Sequence, residues 1–126
     1  MKTAIYCRVG NKSQIIEGQK EICLQTLEQG DELVKVFEDV GYGGINFNRP
    51  MLSSLIELAN EGEFNKVIIS EPSRLSREPL KVYEFMRDLE QLGVQLKFAN
   101  GYDAQSAESV LQYWDEFKTF NEKTLK

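Results

Sequence analysis

Histidine is absent from the 126-residue sequence, which removes imidazole as a general base, a general acid and a metal ligand. Any proton transfer then falls to a carboxyl, lysine, tyrosine, cysteine or arginine-bound water. Two cysteines, Cys7 and Cys23, are too few for a disulfide framework or a zinc cluster. Both lie in apolar periodic segments, so buried free thiols are expected, with no metal and no cofactor. No apolar run approaches the ~18 residues that a membrane-spanning helix needs, and MKTAIYC enters a periodic strand rather than the apolar region of a signal peptide. The expectation is a soluble, cytoplasmic protein without a membrane partner. Positive charge is also scarce. Fifteen Lys and Arg against twenty Asp and Glu leave a net charge of −5, which argues against nucleic-acid binding through the overall field of the domain. Only a local cluster of cations would serve, so their placement decides the matter.

What is present fits one core: 41% of residues are hydrophobic, and a chain of this length buries roughly two-thirds of the surface that its unfolded form exposes. Residues 2 to 9 read as a buried strand. Asn11 and Gln14 match a capping box, and Ile15, Ile16, Ile22, Cys23, Leu24 and Leu27 recur at helical spacing until Gly30. ELVKVFEDV (32 to 40) alternates as a second strand, and GYGGINFNRP follows as a permissive glycine loop. A second helix opens at Pro50 with Leu52, Leu55, Ile56 and Ala59 on one face and Gly62 as its stop. KVIISE (66 to 71) is a continuous apolar run, read as a central strand, and EPSRLSRE as a turn. Pro79 opens a third helix with Leu80, Tyr83, Phe85, Met86, Leu89 and Leu92, closed near Gly93, and VQLKFA (94 to 99) reads as an outer strand. A last helix from Ser106 carries Ala107, Val110, Leu111, Trp114, Phe117 and Phe120, then runs into polar NEKTLK with no stop signal. The expected organisation is a domain over 1–105 and, over 106–126, the start of a C-terminal helix cut from a longer protein. Strands alternating with helices predict a mostly parallel α/β sheet of four to five strands with helices on both faces. There is no internal repeat, low-complexity stretch or linker.

Four of the five arginines fall where strands or loops meet helices: Arg8 ends the first strand, Arg49 precedes the second helix, and Arg74 and Arg77 follow the central strand. In a parallel sheet the carboxyl ends of adjacent strands and the following helix N-termini face one crevice, where backbone N–H groups already favour an anion. Guanidinium forks added there suit a phosphate. Any one of these arginines alone would read as a surface residue paired with a carboxylate. Together they point to an α/β domain with an anion site.

Three stretches, YCRVGNKSQ, DVGYGGINFNRPML and SRLSRE, in that order and at fitting spacing, resemble the catalytic domain of the serine recombinases, the resolvase and invertase family. The resemblance covers roughly residues 3 to 100. It implies a three-layer resolvase-like fold and a site-specific DNA recombinase that cleaves and exchanges strands without metal. In that chemistry a serine hydroxyl attacks a phosphodiester and forms a 5′-phosphoserine link, with arginines neutralising the phosphoryl oxygens. By position, Arg8, Arg49, Arg74 and Arg77 would hold the phosphate, and Gln14 would orient the site from the first helix. The resemblance also implies homodimers or tetramers, with Trp114, Phe117 and Phe120 in a dimer interface, and DNA contacted through a C-terminal region.

This sequence departs from the motif where the chemistry is centred. Gly10 stands at the nucleophile position, Gly43 replaces the serine of the glycine loop, and Ser73 replaces the aspartate before Arg74. Strand alternation sets Arg8 and Gly10 toward one side and Cys7 toward the other, so Cys7 is expected in the core. Ser13 lies beyond the turn and is not expected to attack. Tyr6 reads as packing, and Ser70 and Ser76 as turn or cap residues. The expectation is a nucleophile-deficient domain that keeps the phosphate clamp. A rival reading is a non-catalytic regulatory or protein-interaction module that kept the fold and an anion pocket; the acidic balance favours it and the preserved arginines oppose it.

Overall fold

The computed structural model describes residues 1–10, 16–41 and 49–101. Among these, four strands and four helices alternate: β1 (Lys2–Val9), α1 (Glu17–Gln25), β2 (Glu32–Val40), α2 (Pro50–Asn60), β3 (Lys66–Ile69), α3 (Pro72–Leu75), α4 (Pro79–Gln91) and β4 (Gln95–Phe98). The strands form one sheet in the order β2-β1-β3-β4, with every pair parallel. β1 and β3 are therefore central, and their apolar runs are buried along almost their whole length.

Side chains of a strand alternate between the faces of its sheet, and the two faces here carry two cores. Ala4, Tyr6, Val67 and Ile69 point to one face, where Leu52, Leu55 and Ala59 of α2 and Val82, Phe85, Met86 and Leu89 of α4 meet them. Ile5, Cys7 and Ile68 point to the other, against Cys23 of α1. Helices thus cover both faces, as expected of this α/β architecture. Phe37 and Phe64 close the larger core edge to face, with ring centroids 6.0 Å apart.

The direction of winding reverses at the centre. From β1 the chain crosses through α1 to β2 on one side, while β3 leads through α4 to β4 on the other. The point between β1 and β3 is therefore the topological switch, where the connections leaving two neighbouring strands diverge and open a crevice beyond their carboxyl ends.

Several sequence expectations are corrected. α1 runs from Glu17 to Gln25, and its buried residues are Gln19 and Cys23; Ile22 and Leu24, expected in the core, are exposed. The i, i+4 pair of a glutamine and a cysteine faces the sheet because the glutamine satisfies backbone groups there, which outweighs burying a longer aliphatic stripe. Ile56, Leu80 and Leu92 are exposed as well, and Val82 takes the inward place on α4. The stretch expected as a turn contains the one-turn helix α3. Gly62 and Gly93 follow α2 and α4 with φ of +79° and +75°, the left-handed conformation that ends a helix and that L side chains rarely adopt. The capping pair Asn11 and Gln14, Gly43, and the helix expected from Ser106 lie outside the described residues.

At the amino ends of the strands, Lys66 is 3% exposed and lies 2.7 Å from Asp31, with Glu28 at 3.5 Å. Lys97 also bonds Glu28. The Lys66 ammonium holds the Asp31 carboxyl down at about 2, from an ordinary 3.8. A carboxyl depressed by folding stabilises the protein above its unfolded value, and that stabilisation is lost as pH falls through the folded value. Thermal stability should therefore decline between about pH 4 and about pH 2 in part through Asp31. Asp31→Asn should melt below the parent at neutral pH, with the gap narrowing as the pH drops through that window. A melting-temperature series against pH checks this, and a gap independent of pH would refute it.

Candidate phosphate-binding site

The carboxyl end of β1 delivers Arg8 to the switch point. β3 ends at Ile69, opposite Tyr6, so no β3 residue pairs with Arg8. The Gln19 side chain takes up the Arg8 backbone instead: its amide N–H donates to the Arg8 carbonyl at 2.7 Å, and its oxygen accepts the Arg8 N–H at 3.1 Å. A primary amide presents one donor and one acceptor side by side, as a peptide group does, and so substitutes for a strand neighbour.

Beyond β3 the chain turns through α3, and two arginines from other elements converge on its carbonyls. Arg8 Nε donates to the Arg74 carbonyl at 2.8 Å and Arg8 Nη2 to that of Ser73 at 2.9 Å. Arg49 Nη1 reaches the same Arg74 carbonyl at 3.2 Å. Arg49 is the N-cap residue of α2 and is 0% exposed; Arg8 is 4% exposed. Such burial of a guanidinium is tolerable only with its donors engaged.

Arg49 is held from beneath. Its Nη1 donates to the Tyr6 hydroxyl at 3.2 Å, and that hydroxyl donates to Asp39 Oδ2 at 2.9 Å. Asp39 also accepts the backbone N–H of Met51 on Oδ1 and of Leu52 on Oδ2, both at 3.1 Å. Pro50 at the start of α2 has no N–H, and Arg49 makes no side-chain cap. A carboxylate on β2 therefore supplies the cap that the α2 sequence lacks, where the helix dipole favours negative charge. Burial pushes the Tyr6 phenol far above its usual range, which keeps it a neutral donor to Asp39.

Arg74 lies with its side chain 32% exposed and Nε 3.7 Å from Glu71. Arg77 is exposed just past α3. Burial lowers the basicity of Arg8, and the charge of Arg49 lowers it further, with smaller contributions from Arg74 and Arg77. All four guanidiniums therefore share one electrostatic neighbourhood: two buried and bracing α3, two nearer solvent. Gly10 stands exposed beside them at the end of β1. Ser73 donates its hydroxyl to Glu71 at 2.5 Å, so a carboxylate does face the Ser73–Arg74 corner, borne by Glu71.

The predicted residues Arg8, Arg49 and Arg74 are thus brought together, with Arg77 and Gly10 at the rim. Gln14 and the aromatic residues Trp114, Phe117 and Phe120 lie outside the described residues. Cys7 packs away from the site in the smaller core, as strand alternation implies. Ser76 accepts the Glu78 N–H at 3.0 Å as a turn residue. Sequence reasoning missed Gln19, Asp39 and the bridging hydroxyl of Tyr6. Asp39 was hidden beside Glu38 in the alternating end of β2, and the i, i+4 pairing of Gln19 with Cys23 was too weak beside the isoleucines around it. Among the described residues, no group of three or more His, Cys, Asp or Glu is placed to hold a metal ion, and no helix is long and apolar enough to cross a membrane.

A parallel sheet whose switch-point crevice is lined by guanidiniums defines an α/β domain with a candidate anion site. The family model for the resolvase N-terminal domain matches residues 3–126, and the chain belongs to that family. It is 34% identical over 113 residues to a provisionally named DNA recombinase of Bacillus subtilis (strain 168), covering 86% of this chain and 22% of that one. It is 31% identical over 85 residues to a provisionally named resolvase of Acanthamoeba polyphaga mimivirus, covering 68% of this chain and 43% of the other. The chain therefore spans less than half the length of either relative. Its fold is similar to the N-terminal catalytic domain of TP901-1 integrase, with a TM-score of 0.80 at 23% identity over 97% of this chain and 99% of that one. A resolvase-family site-specific recombinase from Streptococcus pneumoniae matches with a TM-score of 0.71 at 20% identity, over 99% of this chain and 93% of that one.

The bridge through Asp39 has a measurable weight. Asp39→Ala strips two helix amides and a buried hydroxyl of their acceptor, and should cost about 2–4 kcal/mol. Tyr6→Phe removes one link and should cost about 1 kcal/mol. Urea denaturation of both variants tests this order; equal losses would show that Asp39 does not organise the bridge.

Proposed function

We propose that the chain is the catalytic-type domain of a site-specific DNA recombinase that has kept a phosphodiester-binding pocket and lost its attacking group. The observation that carries this reading is the convergence of Arg8 and Arg49 on the carbonyl of Arg74. Two guanidiniums from separate elements meet at one backbone carbonyl, and the charges of Arg74 and Arg77 act on the same place, an arrangement that suits an anion. Burial first, and then the charge of Arg49, lower the basicity of Arg8, and the like-charge part of that cost is relieved when a phosphate enters.

Each group then has a part. Arg74 and Arg77, nearer solvent, meet the non-bridging oxygens first with charge-assisted hydrogen bonds. Arg8 and Arg49 set the potential beneath and hold the α3 carbonyls in place. The position from which a hydroxyl would attack the phosphorus is Gly10, which has no oxygen to deprotonate or esterify. DNA is held without being cut. Work on DNA then falls to further parts of the protein: a C-terminal region that reads the site, and assembly into dimers or tetramers through the segment containing Trp114, Phe117 and Phe120.

Oligonucleotide binding followed by fluorescence anisotropy across a salt series tests the pocket. Arg74→Ala and Arg77→Ala should each weaken binding at every sequence tried and reduce the magnitude of the log–log salt slope by about 1. Binding that ignores salt or both substitutions would overturn the phosphate assignment and favour the rival already suggested by the net charge of −5, a protein-interaction module. The cleavage half is separate: denaturing gels should show no covalent protein–DNA adduct from the unaltered chain and a measurable one from Gly10→Ser. An adduct from the unaltered chain would defeat the claim that it lacks a nucleophile.

A further inference from the structure

We propose that Glu71 is the resident counter-ion of the arginine pocket, a carboxylate that an incoming phosphate must displace from Arg74. This one side chain then sets how readily the pocket takes an anion. The inference rests on the reading of the pocket as a phosphodiester site and adds to it a built-in competitor.

Arg74 differs from the two arginines that brace α3. Arg8 and Arg49 donate to backbone carbonyls and to the Tyr6 hydroxyl, whereas Arg74 Nε is buried with no hydrogen-bond acceptor among the described residues. Glu71 Oε1 stands 3.7 Å from it, beyond the about 3.2 Å that an N–H···O bond spans. A buried donor left without an acceptor is costly. At this separation the carboxylate answers the charge of Arg74 and leaves its hydrogen bond unmade. A phosphoryl oxygen in its place does both.

Glu71 is kept beside Arg74 by its neighbour: Oε1 accepts the Ser73 hydroxyl at 2.5 Å. Although Glu71 is the N-cap residue of α3, its side chain makes no cap hydrogen bond, so the carboxylate is not committed to the helix end. The backbone beneath is fixed from the other side, where the Ser73 and Arg74 carbonyls accept from Arg8 and Arg49. Displacement therefore needs a rotation of the Glu71 side chain and no movement of α3. That side chain is 44% exposed, so water takes up the carboxylate as it leaves, and an ion pair so open to solvent is weakly held. The pocket is thus screened at its outer side without being closed.

The test follows the fluorescence anisotropy of a labelled duplex oligonucleotide titrated with the 126-residue chain at one salt concentration. Glu71→Gln keeps the side-chain length and an oxygen for the Ser73 hydroxyl and removes only the charge. It should tighten binding about three- to fivefold. Removing any negative charge from an acidic chain helps it approach DNA, so Glu84→Gln supplies the background. Glu84 pairs with Lys81 on α4 at 3.8 Å, with the same i, i+3 spacing, and its loss should change binding by less than about 1.5-fold. In an Arg74→Ala background the gain from Glu71→Gln should fall to that of Glu84→Gln, because no guanidinium remains to be screened. Inorganic phosphate is the second probe: the Arg74 Nε–H resonance, assigned by its loss in Arg74→Ala, should shift on titration, and at lower phosphate concentration in Glu71→Gln. If Arg74→Ala weakens binding while Glu71→Gln gains no more than Glu84→Gln, the counter-ion assignment is overturned and the phosphate pocket stands. A gain that persists in full without Arg74 overturns it equally. Binding indifferent to Arg74→Ala removes the phosphate reading itself, and this inference with it.

Discussion

The Asp39 carboxylate is the interaction on which the rest of the site depends. It lies at the end of β2, yet it satisfies the first available amides of α2 and, through the Tyr6 hydroxyl, reaches the guanidinium of Arg49. One buried anion thereby fixes the docking of a helix and the direction of a cation. A buried carboxylate with several donors is stable where one with a single partner would be costly. The arginines above it need this foundation, since cations of like sign do not gather without an anchor.

The topology turns that anchor into a pocket. Because the winding reverses between β1 and β3, their carboxyl ends open together, and α3 crosses the gap with its carbonyls facing Arg8 and Arg49. Backbone acceptors thus organise the buried guanidiniums, while Arg74 and Arg77 remain nearer the surface. The division explains how an acidic chain can present a positive site: the field is local, concentrated at one crevice, and opposed by carboxylates elsewhere. At the other end of the strands the same economy operates in reverse, where Lys66 is surrounded by Asp31 and Glu28.

α1 differs from its partners in kind. α2 and α4 present aliphatic and aromatic faces at i, i+3 and i+7, so their attachment is made of apolar area and is insensitive to any one contact. α1 buries an amide and a thiol, Gln19 and Cys23, with Ile16 and Leu27 partly packed at its ends. The helix whose side chain bonds the Arg8 backbone thus buries less apolar surface than α2 or α4.

Much of this was legible beforehand. The helices begun by Pro50 and Pro79 and ended by Gly62 and Gly93, the buried runs of β1 and β3, and the arginines at element junctions follow from local stereochemistry and from periodicity, which act between residues close in the chain. The one-turn helix α3, the exposed Ile22 and Leu24, and the joint work of Tyr6, Gln19 and Asp39 did not follow, because each depends on what lies opposite. Gln19 is inward because β3 stops two residues short of pairing with Arg8. Asp39 is a cap because α2 arrives beside it from ten residues further on. The sequence by itself determined which segments are strands and helices and where the cations enter the chain. Only the tertiary structure decided which polar groups meet, since a hydrogen bond between distant elements is set by the register and packing of the sheet and leaves no period to read.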